Sequence, residues 1–278
     1  MSTFLRIHNK PFTRAALTAR VSLFFRRHPE WRAWTCCLFA WFFIAINQRQ
    51  FAADGPVNRL YCMTNGAVLR EQGTGWRELF AYYPSFLLQN IFPWLLMIVA
   101  MMFLLLREPL QHISVSVRKK NRIPAALSFL LGYTLLWVVA GAGFLLLPFI
   151  GSYTLQGQSA WVKTIITAGI FILAAILTWL PARPVQMARC SKTIPIRIEG
   201  WKIYTDSFYY GIVIGLACLH MCWAPMAAML FTRHELLLMY IVTVVLFYER
   251  YLFAHTSRAT GFAWITVAAS LLLLQCWP

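Results

Sequence analysis

Residues Phe208 to Phe231 read FYYGIVIGLACLHMCWAPMAAMLF, a run without a single Asp, Glu, Lys or Arg. At about 1.5 Å of rise per residue, a helix of this length spans the roughly 30 Å hydrocarbon core of a bilayer. Six more apolar segments repeat the pattern, at 34–50, 84–106, 124–149, 162–181, 236–254 and 260–277. The chain is 278 residues long and 60% apolar, against roughly 45–50% in an ordinary globular protein. The fold class is therefore all-α, a polytopic membrane helical bundle with about seven transmembrane helices, and no large soluble domain fits in the remainder.

Charge orients this bundle. Of the 25 Lys and Arg residues, 19 collect on the side of the N-terminus and 6 on the other when the stretches between segments are assigned alternately. The positive-inside rule then places the N-terminus in the cytoplasm and the C-terminus outside. The net charge of +16 would suggest nucleic acid in a soluble domain, but here it is explained by orientation and by anionic lipid heads, so no nucleic-acid partner is expected.

Residues 1–33 carry Arg6, Lys10, Arg14, Arg20, Arg26 and Arg27 among Phe, Leu and Val. They read as a basic amphipathic segment on the inner leaflet, and residues 34–278 read as the transmembrane bundle, its first helix an uncleaved anchor rather than a signal peptide. The stretch 51–83 has turn chemistry, and 182–207 reads as a basic loop broken by Pro181, Pro184 and Pro195. Glu249 and Arg250 end the short sixth segment, where long polar chains are expected to snorkel at an interface.

The nine acids fall in loops or near helix ends, which disfavours a proton-coupled transporter or a carboxylate-based hydrolase. Nothing pairs Ser128 or Thr134 with His220, the one histidine deep in a segment, so the chain reads as a non-enzyme. No Gly-rich loop of the ATP-binding type is present either.

What the apolar segments hold is sulfur. Cys218, Cys222, Met226 and Met229 fall on one helical stripe with Met221 beside it, because residues three or four apart are neighbours on a helix. Trp94, Met97, Met101 and Met102 form a comparable stripe in the second segment. Thiolate and thioether are soft ligands that select copper(I) over hard cations, but Met and Cys are also ordinary fillers of apolar cores, and spacing alone leaves both readings open. His220 reads equally as a hydrogen-bonded interior histidine. Pro225 removes a backbone donor and loosens the carbonyl of Met221 beside the thiols.

The seven cysteines are an odd number and cannot form a complete disulfide framework. Cys62 and Cys276 fall on one side of the expected topology, where a disulfide between them is one option. The small residues from Gly132 to Gly143 read as a surface for close helix packing.

Three motifs, Trp94-x-x-Met97-x-x-Ala100-Met101-Met102, Gly132-Tyr133 through Trp137 to Gly141, and Gly215-x-x-Cys218-Leu219-x-x-Cys222-Trp223-x-x-Met226, together resemble a bacterial family of predicted metal-binding integral membrane proteins, domain of unknown function 2182. Glu249-Arg250 is similar to that family's acidic-basic pair, and the likeness covers about residues 90–262. It implies a transition metal, with copper(I) first, held by Cys218, Cys222, Met221, Met226, Met97, Met101 and Met102, with His220 as a further candidate. Met221 stands where the family has a third Cys, His220 where it has Gly, and Pro225 where it has Leu; Cys190 is the lone Cys of the basic loop. A thioether in place of a thiolate keeps a copper(I) ligand but removes a negative charge.

The expected role is copper transport or delivery to an extracytoplasmic cuproprotein. The alternative is a metal-free subunit packing against another membrane protein. Membrane lipids are partners in either case.

Overall fold

An apolar segment in lipid must satisfy its own backbone, which helices do without neighbours. The computed structural model describes residues 31–53, 76–154, 160–231, 236–251 and 257–276, and among these there is no strand. Helix α1 is Trp31–Ala53. Helix α2, Trp76–Met102, runs through a 3₁₀ stretch, Phe103–Leu106, into α3, Arg107–Ser116. Then come α4 (Arg122–Thr154), α5 (Ala160–Trp179), the short α6 (Arg183–Cys190), α7 (Lys202–Phe231), α8 (Leu236–Tyr251) and α9 (Ser257–Cys276).

Each of the seven expected segments falls on a helix, and the all-α membrane bundle stands. Among the described residues, four stretches are long and apolar enough to cross a membrane: Phe80–Ser116, Lys119–Gly151, Trp161–Trp179 and Lys202–Phe231. Ala33–Asn47 and Arg258–Leu274 are shorter apolar stretches. The basic segment up to residue 30 and the Cys62–Cys276 pairing lie outside the described residues.

Two stretches expected as loops are partly helical. Helix α2 begins at Trp76 and carries Pro84 and Pro93 within it. The basic stretch 182–207 contains α6 and the first turns of α7, because Pro184 lies in the first turn of α6, where its missing N–H costs nothing.

Helices α4 and α7 form the centre of the bundle and approach closely. A Cβ on Gly211 would fall on the Phe129 carbonyl oxygen, and one on Gly132 would fall on that of Phe208. Only glycine permits this distance, so Gly132 of the third segment serves helix packing as its spacing predicts, whereas Gly143 meets no neighbour. Gly141 lies under the indole of Trp94, whose Nε1 donates to the Trp137 carbonyl at 2.9 Å. Trp94, Trp137, Tyr133 and Phe129 are all buried, while Leu38, Phe39, Phe42, Leu127, Leu131 and Val139 face outward. Such an apolar exterior suits lipid rather than water.

Candidate metal centre

Helix α7 carries two thiols one turn apart. Cys218 and Cys222 are both buried, and both line one small cavity. Tyr133, across the glycine-mediated contact with α4, donates its O–H to Cys218 Sγ at 3.2 Å. The Cys218 thiol in turn points at Met102 Sδ, 3.8 Å away, at the last residue of α2. Three helices therefore converge on one sulfur atom.

Pro225, within the continuous helix α7, explains the next layer. Pro225 has no N–H to give the Met221 carbonyl, which in an unbroken helix would accept from the residue four positions on. Arg183 supplies the missing donor, its Nη1 reaching Met221 O at 3.0 Å. The same guanidinium grips Glu249 at two points, Nε to Oε1 at 2.7 Å and Nη2 to Oε2 at 2.9 Å. Arg183 is 4% exposed and Glu249 1%. This corrects the expectation for Glu249, which is drawn into the interior because a buried guanidinium requires a carboxylate partner.

Arg250 is also turned inward. Its Nη2 donates to the Cys190 carbonyl at 2.9 Å and lies 3.5 Å from Glu108 Oε2, while its Nε is buried with no hydrogen-bond partner. Beside it is a cavity of about 20 Å³ lined by Cys190, Cys218, Met221, Cys222, Glu249 and Arg250, with aliphatic side chains closing the rest. Cys190 is 2% exposed. Burial, and after it the neighbouring Cys218, push the Cys190 thiol up to about 12, with Arg250 and Arg183 pulling the other way. It stays protonated at neutral pH unless a metal displaces the proton.

Of the residues expected at a metal site, Cys218, Cys222 and Met221 line this cavity and Met102 touches Cys218. Met97 and Met101 are buried on α2, and Met226 is buried just after Pro225 on α7, each within the core around the cavity rather than on its lining. His220 is exposed on α7; two residues from Cys218 and from Cys222, it points away from the stripe, since the helix turns about 100° per residue. Cys37 gives its thiol to the Val99 carbonyl at 3.2 Å, and Cys36 is exposed.

Sequence reasoning did not single out Tyr133, Arg183 or Cys190 as parts of one site. The signals were present but indirect: an orphaned carbonyl four residues before Pro225, and a Glu-Arg pair closing an apolar helix.

Among the described residues, no three or more His, Cys, Asp or Glu side chains are placed to hold a metal together. The soft donors gathered here are the thiols of Cys218 and Cys222 and the thioether of Met102, with Met221 also on the cavity lining. That set fits a soft monovalent cation and offers nothing to magnesium or calcium, which require oxygen ligands.

Residues 91–273 match the family PpoB2, described as copper chaperone. No curated protein and no solved structure matches the chain. The matched region contains Met102, Tyr133, Arg183, Cys190, Cys218, Cys222 and Glu249 and covers well over half of the sequence. The chain belongs to this copper chaperone family, and its function is copper-related.

Proposed function

We propose that this copper chaperone family member carries copper(I) inside its helical bundle, between Cys218 and Cys222, and delivers it to an extracytoplasmic cuproprotein from the bacterial inner membrane. The observation that carries this reading is the contact of Cys218 Sγ with Met102 Sδ beside the cavity that Cys222 and Met221 share. Copper is cargo here and not a catalyst, so the protein acts as a carrier rather than an enzyme.

Each residue has a part. Cys218 and Cys222 supply thiolates, and Met102 and Met221 supply thioethers that hold a soft cation without adding charge. Tyr133 orients the Cys218 sulfur, as an outer-shell donor does for a metal ligand. The aromatic and aliphatic core excludes water, which protects copper(I) from competing oxygen ligands. With no nucleotide-binding loop, release is driven by the acceptor's affinity.

Elemental analysis of protein purified anaerobically with copper(I) tests the reading. The wild type is expected to hold about one copper per chain, and the Cys218→Ser/Cys222→Ser variant none. Full copper retention by the double variant would overturn the assignment.

A further inference from the structure

We propose that Cys190 is the thiol through which copper(I) exchanges between the Cys218/Cys222 pair and the water on the side of the basic stretch 191–201. This rests on the copper site proposed above and adds a route to it.

Cys190 is the last residue of α6, and that eight-residue helix is fastened at both ends by neighbours on α8. At its first residue, Arg183 is gripped by Glu249 and tied to the Met221 carbonyl. At its last, the Cys190 carbonyl accepts from Arg250. Adjacent residues of one helix thus fix both ends of another, and the Cys190 side chain is held on the cavity that Cys218 and Cys222 line.

The thiol is buried, yet Ser191, Lys192 and Thr193 immediately after it are exposed. It therefore marks the boundary between the sulfur cluster and water. Cys190 does not join the two α7 thiols as one preformed three-ligand group, so it is placed to receive the ion next rather than to share it at rest.

Cavity size argues for transfer by ligand exchange. About 20 Å³ is close to the space of one water molecule, too small for a hydrated ion or a bulky copper complex. In the exchange, a Cu–S bond to Cys190 forms as its thiol proton passes to the departing Cys218 thiolate, and the Cu–S bond to Cys218 breaks. Copper stays cuprous, and neither proton count nor charge changes. The guanidinium of Arg250, with its unpartnered Nε, faces this cavity and offsets the thiolate charge on either side.

The test loads the full-length protein with copper(I) in lipid nanodiscs and follows transfer to water-soluble bathocuproine disulfonate by stopped-flow absorbance. Cys190→Ala should keep wild-type copper stoichiometry but release it about tenfold or more slowly. Cys190→Met, which restores a soft ligand, should recover part of the rate, and Cys36→Ser should leave it unchanged. Cys190→Ala releasing at the wild-type rate would overturn this inference alone. Loss of copper from both Cys190 variants, with folding retained by thermal melt, would also overturn it by making Cys190 a resident ligand. Absence of copper from the wild type would remove the site itself and this route with it.

Discussion

Arg183 Nη1 donates to the carbonyl of Met221 at 3.0 Å, the acceptor that Pro225 leaves without its helical partner. A side chain from a short helix thereby completes the backbone of α7 beside the thiols. An unsatisfied buried carbonyl costs about 1–3 kcal/mol, and an uncompensated buried charge costs more.

Breaking this arrangement from the acidic side should be severe. Glu249→Ala leaves the Arg183 guanidinium buried and unpaired, a loss of about 3–5 kcal/mol. A large fall in melting temperature in detergent is the expected result. A fall within about 0.5 kcal/mol, the range of an ordinary surface change, would mean that the pair contributes no stability.

Pro225 supplies a sharper check. Replacing the ion pair with Arg183→Leu/Glu249→Leu removes both charges but orphans the Met221 carbonyl. Adding Pro225→Ala restores an N–H four residues on and should recover about 1 kcal/mol, whereas the same change in the wild type should recover nothing. A double-mutant cycle on thermal melts would read the difference. Equal effects in both backgrounds would show that Arg183 is not standing in for the missing donor.

The helix pattern was legible because apolar runs long enough for a bilayer leave little choice of structure. The Cys218/Cys222 stripe was legible because helical spacing alone brings those residues to one face, and the same geometry turns His220 away from them. Cys190, Arg183 and Glu249 were not legible as a unit. Arg183 and Cys190 share α6, but Glu249 lies about sixty residues further on in α8, and in a Pro-broken basic stretch a charged residue ordinarily signals a solvated loop. Only the tertiary arrangement shows that Arg183 and Glu249 neutralise one another in the interior.

Close approach of α4 and α7 makes a prediction about glycine. Gly211→Ala places a Cβ on the Phe129 carbonyl oxygen, forcing apart the helices that bear Tyr133 and Cys218. Overpacking of this kind costs about 1–3 kcal/mol, and copper retention should fall with stability. Gly143→Ala meets nothing within 4 Å and should be neutral or slightly stabilising, since alanine suits a helix better. The two variants, compared by thermal melt and copper content, separate the contact from helix propensity.

Tyr133→Phe tests the orienting hydrogen bond to Cys218. The ring is fully buried and its packing survives the change, so stability should drop by only about 1 kcal/mol. Copper affinity should fall about tenfold, the lower end of what loss of an outer-shell partner costs. Competition against a copper(I) chelator measures this. Unchanged affinity would reduce Tyr133 to a packing role.

The methionines of α2 divide into one that meets a thiol and two, Met97 and Met101, that are buried off the cavity lining. Leucine nearly conserves methionine volume, so Met97→Leu, Met101→Leu and Met102→Leu should each cost less than about 1.5 kcal/mol in stability. Only Met102 brings its sulfur to Cys218, so Met102→Leu alone should weaken copper(I) binding, by about tenfold. X-ray absorption at the copper edge should show loss of a sulfur neighbour in that variant and no change in the other two. Equal weakening in all three would mean that copper draws on the whole thioether stripe.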